Sequence, residues 1–114
     1  MQDCLFCKII KKEIPAEIVY EDEQVLVFKD INPMAPVHLI IIPQKHIPAL
    51  ADMDEKDTFL MGQIQLTAAR LAVKMGLAEE GFRLVNNCGR SAQQTVMHIH
   101  YHLLAGRHLN WPPG

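Results

Sequence analysis

The chain has little that would mark a membrane, secreted or nucleic-acid-binding protein. Neither charge dominates: 11 Lys plus Arg stand against 13 Asp plus Glu, a formal net charge of −2. That excludes an electrostatically driven binder of nucleic acid or a membrane surface, because neither phosphate backbone nor anionic lipid draws a weakly acidic domain. The longest apolar run, Leu39 to Pro43, falls far short of the roughly 20 residues of a membrane span. Met1-Gln2-Asp3-Cys4 lacks the basic patch and apolar core of a secretory signal. The expected location is therefore cytoplasmic, with the three cysteines reduced. No internal repeat, linker or low-complexity stretch breaks the sequence, and 114 residues suit a single domain over 1–114.

What is present reads as alternating short strands and helices. Cys4 to Lys11 carries Leu5, Phe6, Ile9 and Ile10 at helical spacing, closed off before Pro15. Glu17–Tyr20 and Val25–Lys29 read as strands around the polar turn Glu21-Asp22-Glu23. Val37–Ile42 is a third strand, apolar enough to be buried on both faces. Asp52 or Asp54 can cap a long helix whose face is Leu60, Ile64, Ala68, Leu71 and Met75, with Gly76 as its stop. Gly81–Asn87 and Thr95–Ala105 read as a fourth and a fifth strand around a polar loop. The pattern predicts an α+β fold: a five-stranded antiparallel sheet with one long and one short helix, helix packed on one face.

The strongest signal is Met97-His98-Ile99-His100-Tyr101-His102-Leu103-Leu104, where three of the six histidines alternate. On a strand His98, His100 and His102 would share one face, successive members about 6.6 Å apart. Ile99, Tyr101 and Leu103 would then point into the core. Three chemistries fit a row of imidazoles. The first is metal binding. The second is phosphoryl or nucleotidyl transfer, in which one neutral ring attacks phosphorus and its neighbours donate to the phosphate oxygens. The third is no chemistry, a polar cluster on a solvated face. The preceding loop, Asn87-Cys88-Gly89-Arg90-Ser91-Ala92-Gln93-Gln94-Thr95, offers amides, a hydroxyl and a flexible glycine but no carboxylate. Such a loop suits an anion better than a catalytic metal.

His98 to Leu104 resembles the His-φ-His-φ-His-φ-φ signature, φ apolar, of the histidine triad (HIT) superfamily. Phe6-Cys7-Lys8-Ile9-Ile10, Glu13-Ile14-Pro15-Ala16, Phe28-Lys29-Asp30-Ile31, His38 to Pro43, Lys45-His46-Ile47 and Trp111-Pro112-Pro113-Gly114 are similar to its histidine triad nucleotide-binding (Hint) branch. The resemblance implies a homodimer with one continuous sheet. It implies binding of purine nucleoside monophosphates and hydrolysis of the P–N bond of nucleoside 5′-phosphoramidates. His100 would be the nucleophile, forming a nucleotidyl-histidine that water resolves, with no cofactor required. His102 and His38 would hold the α-phosphate, Thr95 the phosphate or leaving group, and Asn87 the substrate near the scissile bond. Asp30 would accept from the ribose; Leu5, Phe6, Ile9, Ile14, Phe28 and Ile31 would line the base pocket. Gln94 matches a glutamine of the phosphate loop, with Gly89 in the same loop, and Trp111 would approach the partner subunit's site. Gln93 and Ala92 stand where glycines are usual, which restricts the backbone there.

Two features remain. Cys4-Leu5-Phe6-Cys7 is a CxxC that suits redox chemistry, half a zinc site or two buried thiols. By resemblance to HIT proteins that keep this motif, a structural zinc would take Cys4, Cys7, His46 and His98; otherwise His98 and His46 are free to relay protons. Trp111 either packs on its own subunit or lies on a partner. Two rival functions stay open: a dinucleoside polyphosphate hydrolase of the same superfamily, for which the bulky Trp111 leaves little room, and a non-catalytic nucleotide-binding module.

Overall fold

Helix α1 (Leu5–Ile10) begins where the Cys4 sulfur accepts the Cys7 amide at 3.3 Å, a thiol in the place of the usual Ser or Asp cap. It buries Phe6, Cys7 and Ile9. The computed structural model to which this belongs describes residues 3–114; Met1 and Gln2, the start of the N-terminal stretch read above, lie outside the described residues.

Strands β1 (Ile18–Glu21), β2 (Val25–Lys29), β3 (Val37–Pro43), β4 (Phe82–Asn86) and β5 (Tyr101–Ala105) form one antiparallel sheet in the order β1-β2-β3-β5-β4. Six of the seven residues of β3 are buried, His38 among them, as the apolar run Leu39 to Pro43 requires of a strand covered on both faces. Helix α2 (Thr58–Lys74) follows two 3-10 turns, Leu50–Asp52 and Glu55–Asp57. Asp54 and Asp57 build a reciprocal capping box on the second turn, so the α-helix starts later than its acidic cap suggests. Leu60, Ile64, Ala68 and Leu71 are buried as expected, whereas Met75 is the exposed C-cap.

Period-2 alternation divides the core in two. Val25, Val27, Leu39, Ile41, Tyr101 and Leu103 face α2. Leu26, Phe28, Ile40 and Ile42 face the other way, against Phe6 and Ile9 of α1. The expectation of helix on one face is thereby corrected: the two helices pack on opposite faces, because β2 and β3 are apolar at both phases.

The fifth strand is also shorter than Thr95–Ala105. Its pairing to β3 ends at Ile41↔Tyr101. Pro43 has no N–H to continue the ladder, and its carbonyl is taken by the His98 ring at 2.9 Å. His98 and His100 thus lie on irregular chain just before β5, held by the Ile99 amide donating to the Ile47 carbonyl at 2.7 Å. Alternation survives: Ile99, Tyr101 and Leu103 are all buried in the α2-side core.

Candidate active site

On the α1 side of the sheet a cavity of about 290 Å³ opens between α1, β2 and the histidine segment. Leu5, Phe6, Ile9 and Phe28 line one part; Asp30 and Ile31 stand at the end of β2; Thr95, His100 and His102 line the rest. Ile31 is 89% exposed, a rim residue with its side chain free. Ile14 packs behind this wall among the partly buried residues rather than lining the cavity.

The hydrogen-bond partners assign each ring its proton. A carbonyl can only accept, so His100 donates from Nδ1 to the His98 carbonyl at 2.8 Å, and its Nε2 keeps a lone pair. Phe6 closes on this ring edge-on, centroids 5.0 Å apart. Burial holds the His100 imidazole below its ordinary pKa, against the pull of the His98 carbonyl and Asp30, so it is neutral at pH 7.

His38 is fixed from the opposite direction. The Met34 amide donates to its Nδ1 at 3.0 Å, which leaves the proton on Nε2. That Nε2–H lies 2.8 Å from His102 Nδ1 and 3.3 Å from an Asp30 carboxylate oxygen. His102 Nδ1 therefore accepts, and its Nε2 carries the ring's proton as a donor. Desolvation pushes His102 down to about 4, with His100 and His38 adding to the fall and Asp30 opposing it. Desolvation lowers His38 too, with Asp30 pulling upward. Asp30, His38 and His102 are close enough to hold a metal ion. The Met34 amide argues against one: a metal on Nε2 would demand a ring stripped of both protons.

His98 has the reverse arrangement. Its Nε2–H donates to the Pro43 carbonyl, so Nδ1 presents a lone pair to a cluster of Cys4, Cys7 and His46. Nδ1 of His98 lies 3.4 Å from Cys4 Sγ, 3.6 Å from Cys7 Sγ and 3.2 Å from His46 Nδ1; Cys7 Sγ is 3.3 Å from His46 Nδ1. Ligand atoms around a tetrahedral zinc are separated by about 3.3–3.8 Å, given Zn–N of about 2.0–2.1 Å and Zn–S of about 2.3 Å. The donor set fits. Burial and the adjacent Cys4 sulfur push the Cys7 thiol up, so two thiolates here call for a cation between them.

The loop residues lie elsewhere. Asn87, Gly89, Gln93 and Gln94 are absent from the cavity lining. The Gln94 side chain turns inward: Oε1 accepts the Gly89 amide at 3.0 Å, and Nε2 donates to the Pro48 and Val96 carbonyls at 2.7 and 3.0 Å. Gln93 adopts φ +64°, the left-handed conformation that glycine takes without strain. Trp111 is 81% exposed, its ring 6.0 Å from the Arg83 guanidinium, so it is not packed into its own subunit. Cys88 and His108 take no part in the cavity or the metal cluster.

Two contributors escaped the sequence reading. Asn86, not Asn87, reaches the histidine segment, Nδ2 donating to the His100 carbonyl at 2.9 Å. It falls on the α2-facing phase of β4 after Phe82 and Leu84, and a polar residue at an apolar phase was the available signal. The Met34 amide leaves no sequence signal, since any residue but proline supplies it.

Known proteins resemble this chain in sequence and fold. A family model described as the HIT domain matches residues 11–109. A "14 kDa zinc-binding protein" of Zea mays is 51% identical over 112 residues, covering 96% of this chain and 87% of its own. An uncharacterized HIT-like protein of Synechocystis is 49% identical over 113 residues, 99% of this chain and 98% of its own. A crystal structure of a HIT family hydrolase from Legionella pneumophila superposes with TM-score 0.96 at 51% identity, covering 98% of this chain and all of that one. A histidine triad nucleotide-binding protein from Candida albicans gives 0.81 at 32%, covering 96% and 83%. With three alternating histidines entering the last strand of such a sheet and a family match over most of its length, the chain belongs to the HIT family.

Proposed function

We propose that this protein is a hydrolase of purine nucleoside 5′-phosphoramidates acting through a nucleotidyl-His100 intermediate, in the manner of the Hint branch. One observation carries the reading: His100 donates Nδ1–H to the His98 carbonyl, which leaves an unprotonated Nε2 on a ring lining the cavity. A neutral, tautomer-fixed imidazole is what attack on phosphorus requires. Leu5, Phe6, Ile9 and Phe28 supply an apolar slot for a planar base, and Asp30 an acceptor for ribose hydroxyls. The His102 Nε2–H and the Thr95 hydroxyl are donors for the phosphate oxygens.

The steps balance as follows. The His100 Nε2 lone pair forms a bond to phosphorus as the P–N bond to the amine breaks. The leaving nitrogen takes up a proton from solvent water, while His102, its Nδ1 held by the His38 Nε2–H that also faces Asp30, keeps its Nε2–H as a donor to the phosphate oxygens. Water then attacks phosphorus: its hydroxyl bonds to phosphorus as the P–Nε2 bond breaks, its proton neutralises the hydroxide left by the first step, and His100 is free again. An AMP-amide with a fluorogenic amine tests this. Turnover by wild type and none by His100→Ala is expected; equal rates refute the nucleophile.

Two assembly features belong to the same reading. Cys4, Cys7, His46 and His98 would hold a structural zinc, which supplies cross-linking and no step of the reaction. Metal analysis of protein purified without chelator checks it, and less than a tenth of an equivalent counts against it. The protein would also be a cytosolic homodimer paired through β4, which among the described residues pairs only with β5. Exposed Phe59, Leu66 and Val73, seven residues apart on α2, form an apolar stripe for the partner, and exposed Trp111 would reach the partner's cavity. A stable monomer in sedimentation contradicts this.

A further inference from the structure

His98 belongs to two structures at once. Its ring is a member of the Cys4, Cys7 and His46 cluster, while its main-chain carbonyl accepts the Nδ1–H of His100. Neither link is loose. The ring is pinned on its far side by the Pro43 carbonyl at 2.9 Å, and His98 is fully buried. The next residue, Ile99, donates its amide to Ile47, which follows cluster member His46 directly. So the segment bearing the nucleophile is tied to the segment bearing His46 by one backbone hydrogen bond at 2.7 Å, and by whatever joins His46 Nδ1 to His98 Nδ1 across 3.2 Å. His98 Nδ1 holds a lone pair, so the two rings are joined either by a hydrogen bond from a His46 Nδ1–H or by a cation that both nitrogens bind.

From this we infer that the metal cluster is a control site for the nucleophile: occupancy at Cys4, Cys7, His46 and His98 sets the position of the His98 carbonyl, and through it the tautomer of His100. The inference rests on the reading of His100 as nucleophile and goes beyond a metal that merely staples α1 to the sheet. His98 is on this view a positioning residue. Without the ion only the Pro43 and Ile99 hydrogen bonds hold the His98 segment; its carbonyl gains freedom, His100 divides its proton between Nδ1 and Nε2, and only the Nδ1–H form can attack. α1 would be affected as well, since Phe6 packs on both His98 and His100 at centroid distances of 6.0 and 5.0 Å. A staple alone would therefore loosen nucleotide binding and leave the tautomer untouched, which is how the two roles separate.

The test compares zinc-loaded wild type, chelator-stripped wild type and the Cys4→Ser/Cys7→Ser variant, with metal content measured in each. Three readouts are taken: 15N shifts of the His100 ring nitrogens, AMP dissociation constant, and kcat on an AMP-amide. Loaded protein is expected to show a single Nδ1–H tautomer at His100. Stripped and variant proteins are expected to show mixed tautomers and a kcat at least tenfold lower, restored in stripped wild type by zinc. Unchanged His100 shifts and kcat after verified metal loss overturn the inference, as does a change confined to AMP affinity. If metal loss unfolds the chain, cadmium-loaded wild type keeps the site with longer metal–ligand bonds; His100 shifts and kcat equal to those of the zinc form then overturn it. A loaded wild type that turns over no AMP-amide fails the proposed function instead, while the tautomer readout still decides the coupling.

Discussion

Gln94 gives the sharpest test of how the loop before the histidines is built. Its amide makes three hydrogen bonds, to the Gly89 amide and to the Pro48 and Val96 carbonyls, and the residue is 8% exposed. Gln94→Ala removes all three and leaves one donor and two acceptors to find water. At a net contribution of about 1 kcal/mol per bond, the loss is roughly 3 kcal/mol, with more where a buried partner stays unsatisfied. For a domain near this size that lowers Tm by roughly 10 °C. Urea unfolding at fixed protein concentration measures the first quantity and a thermal scan the second. Because the side chain turns away from the cavity, AMP affinity below the transition should change less than threefold. A variant as stable as wild type within about 0.5 kcal/mol, yet tenfold weaker for AMP, would show that Gln94 serves the phosphate and that its inward bonds are incidental.

Three further outcomes follow from named contacts. Gln93→Gly should stabilise the protein by up to about 1 kcal/mol, since Gln93 occupies φ +64°, and a fall in the urea midpoint contradicts the strain. His102 takes up its proton near 4 when folded but near its ordinary value when unfolded. As pH falls from about 6.5 toward 4 the unfolded chain gains that proton first, so wild type should lose stability relative to His102→Asn across that window and not above it. A difference that stays flat with pH from 7 to 4 refutes the depressed value. Asn86→Ala removes a bond to the His100 carbonyl but also an Asn86 Oδ1 that is buried without a partner. The two effects offset, so stability should change by less than about 1 kcal/mol while kcat falls severalfold; unchanged kcat assigns Asn86 no positioning role.

The elements were legible where burial follows a period. β3 is apolar at every position but His38 and α2 at every third or fourth, and both lie where those patterns put them. The histidine strand misled because alternation reports which side a residue faces, not whether a neighbouring strand is there to pair. Pairing stops at Tyr101 for want of an N–H on Pro43, a fact of the adjacent strand. For the site, the family resemblance pointed to His38, Asp30, Thr95 and the cavity-lining residues Leu5, Phe6, Ile9 and Phe28. It could not tell which imidazole nitrogen carries each proton. That is decided by the backbone groups of Pro43, His98 and Met34. The same groups separate a metal-competent histidine cluster from a hydrogen-bonded histidine pair, though both are made of ordinary ligands.

The most direct measurement is a rapid quench of enzyme with excess AMP-amide under alkaline conditions that preserve phosphohistidine, followed by peptide mass mapping. Expected is an adenylyl group on the Met97–Leu104 peptide, localised to His100 and formed at least as fast as turnover. Adenylyl on another residue, or steady turnover with no covalent adduct and full activity in His100→Ala, would contradict nucleophilic attack by this ring.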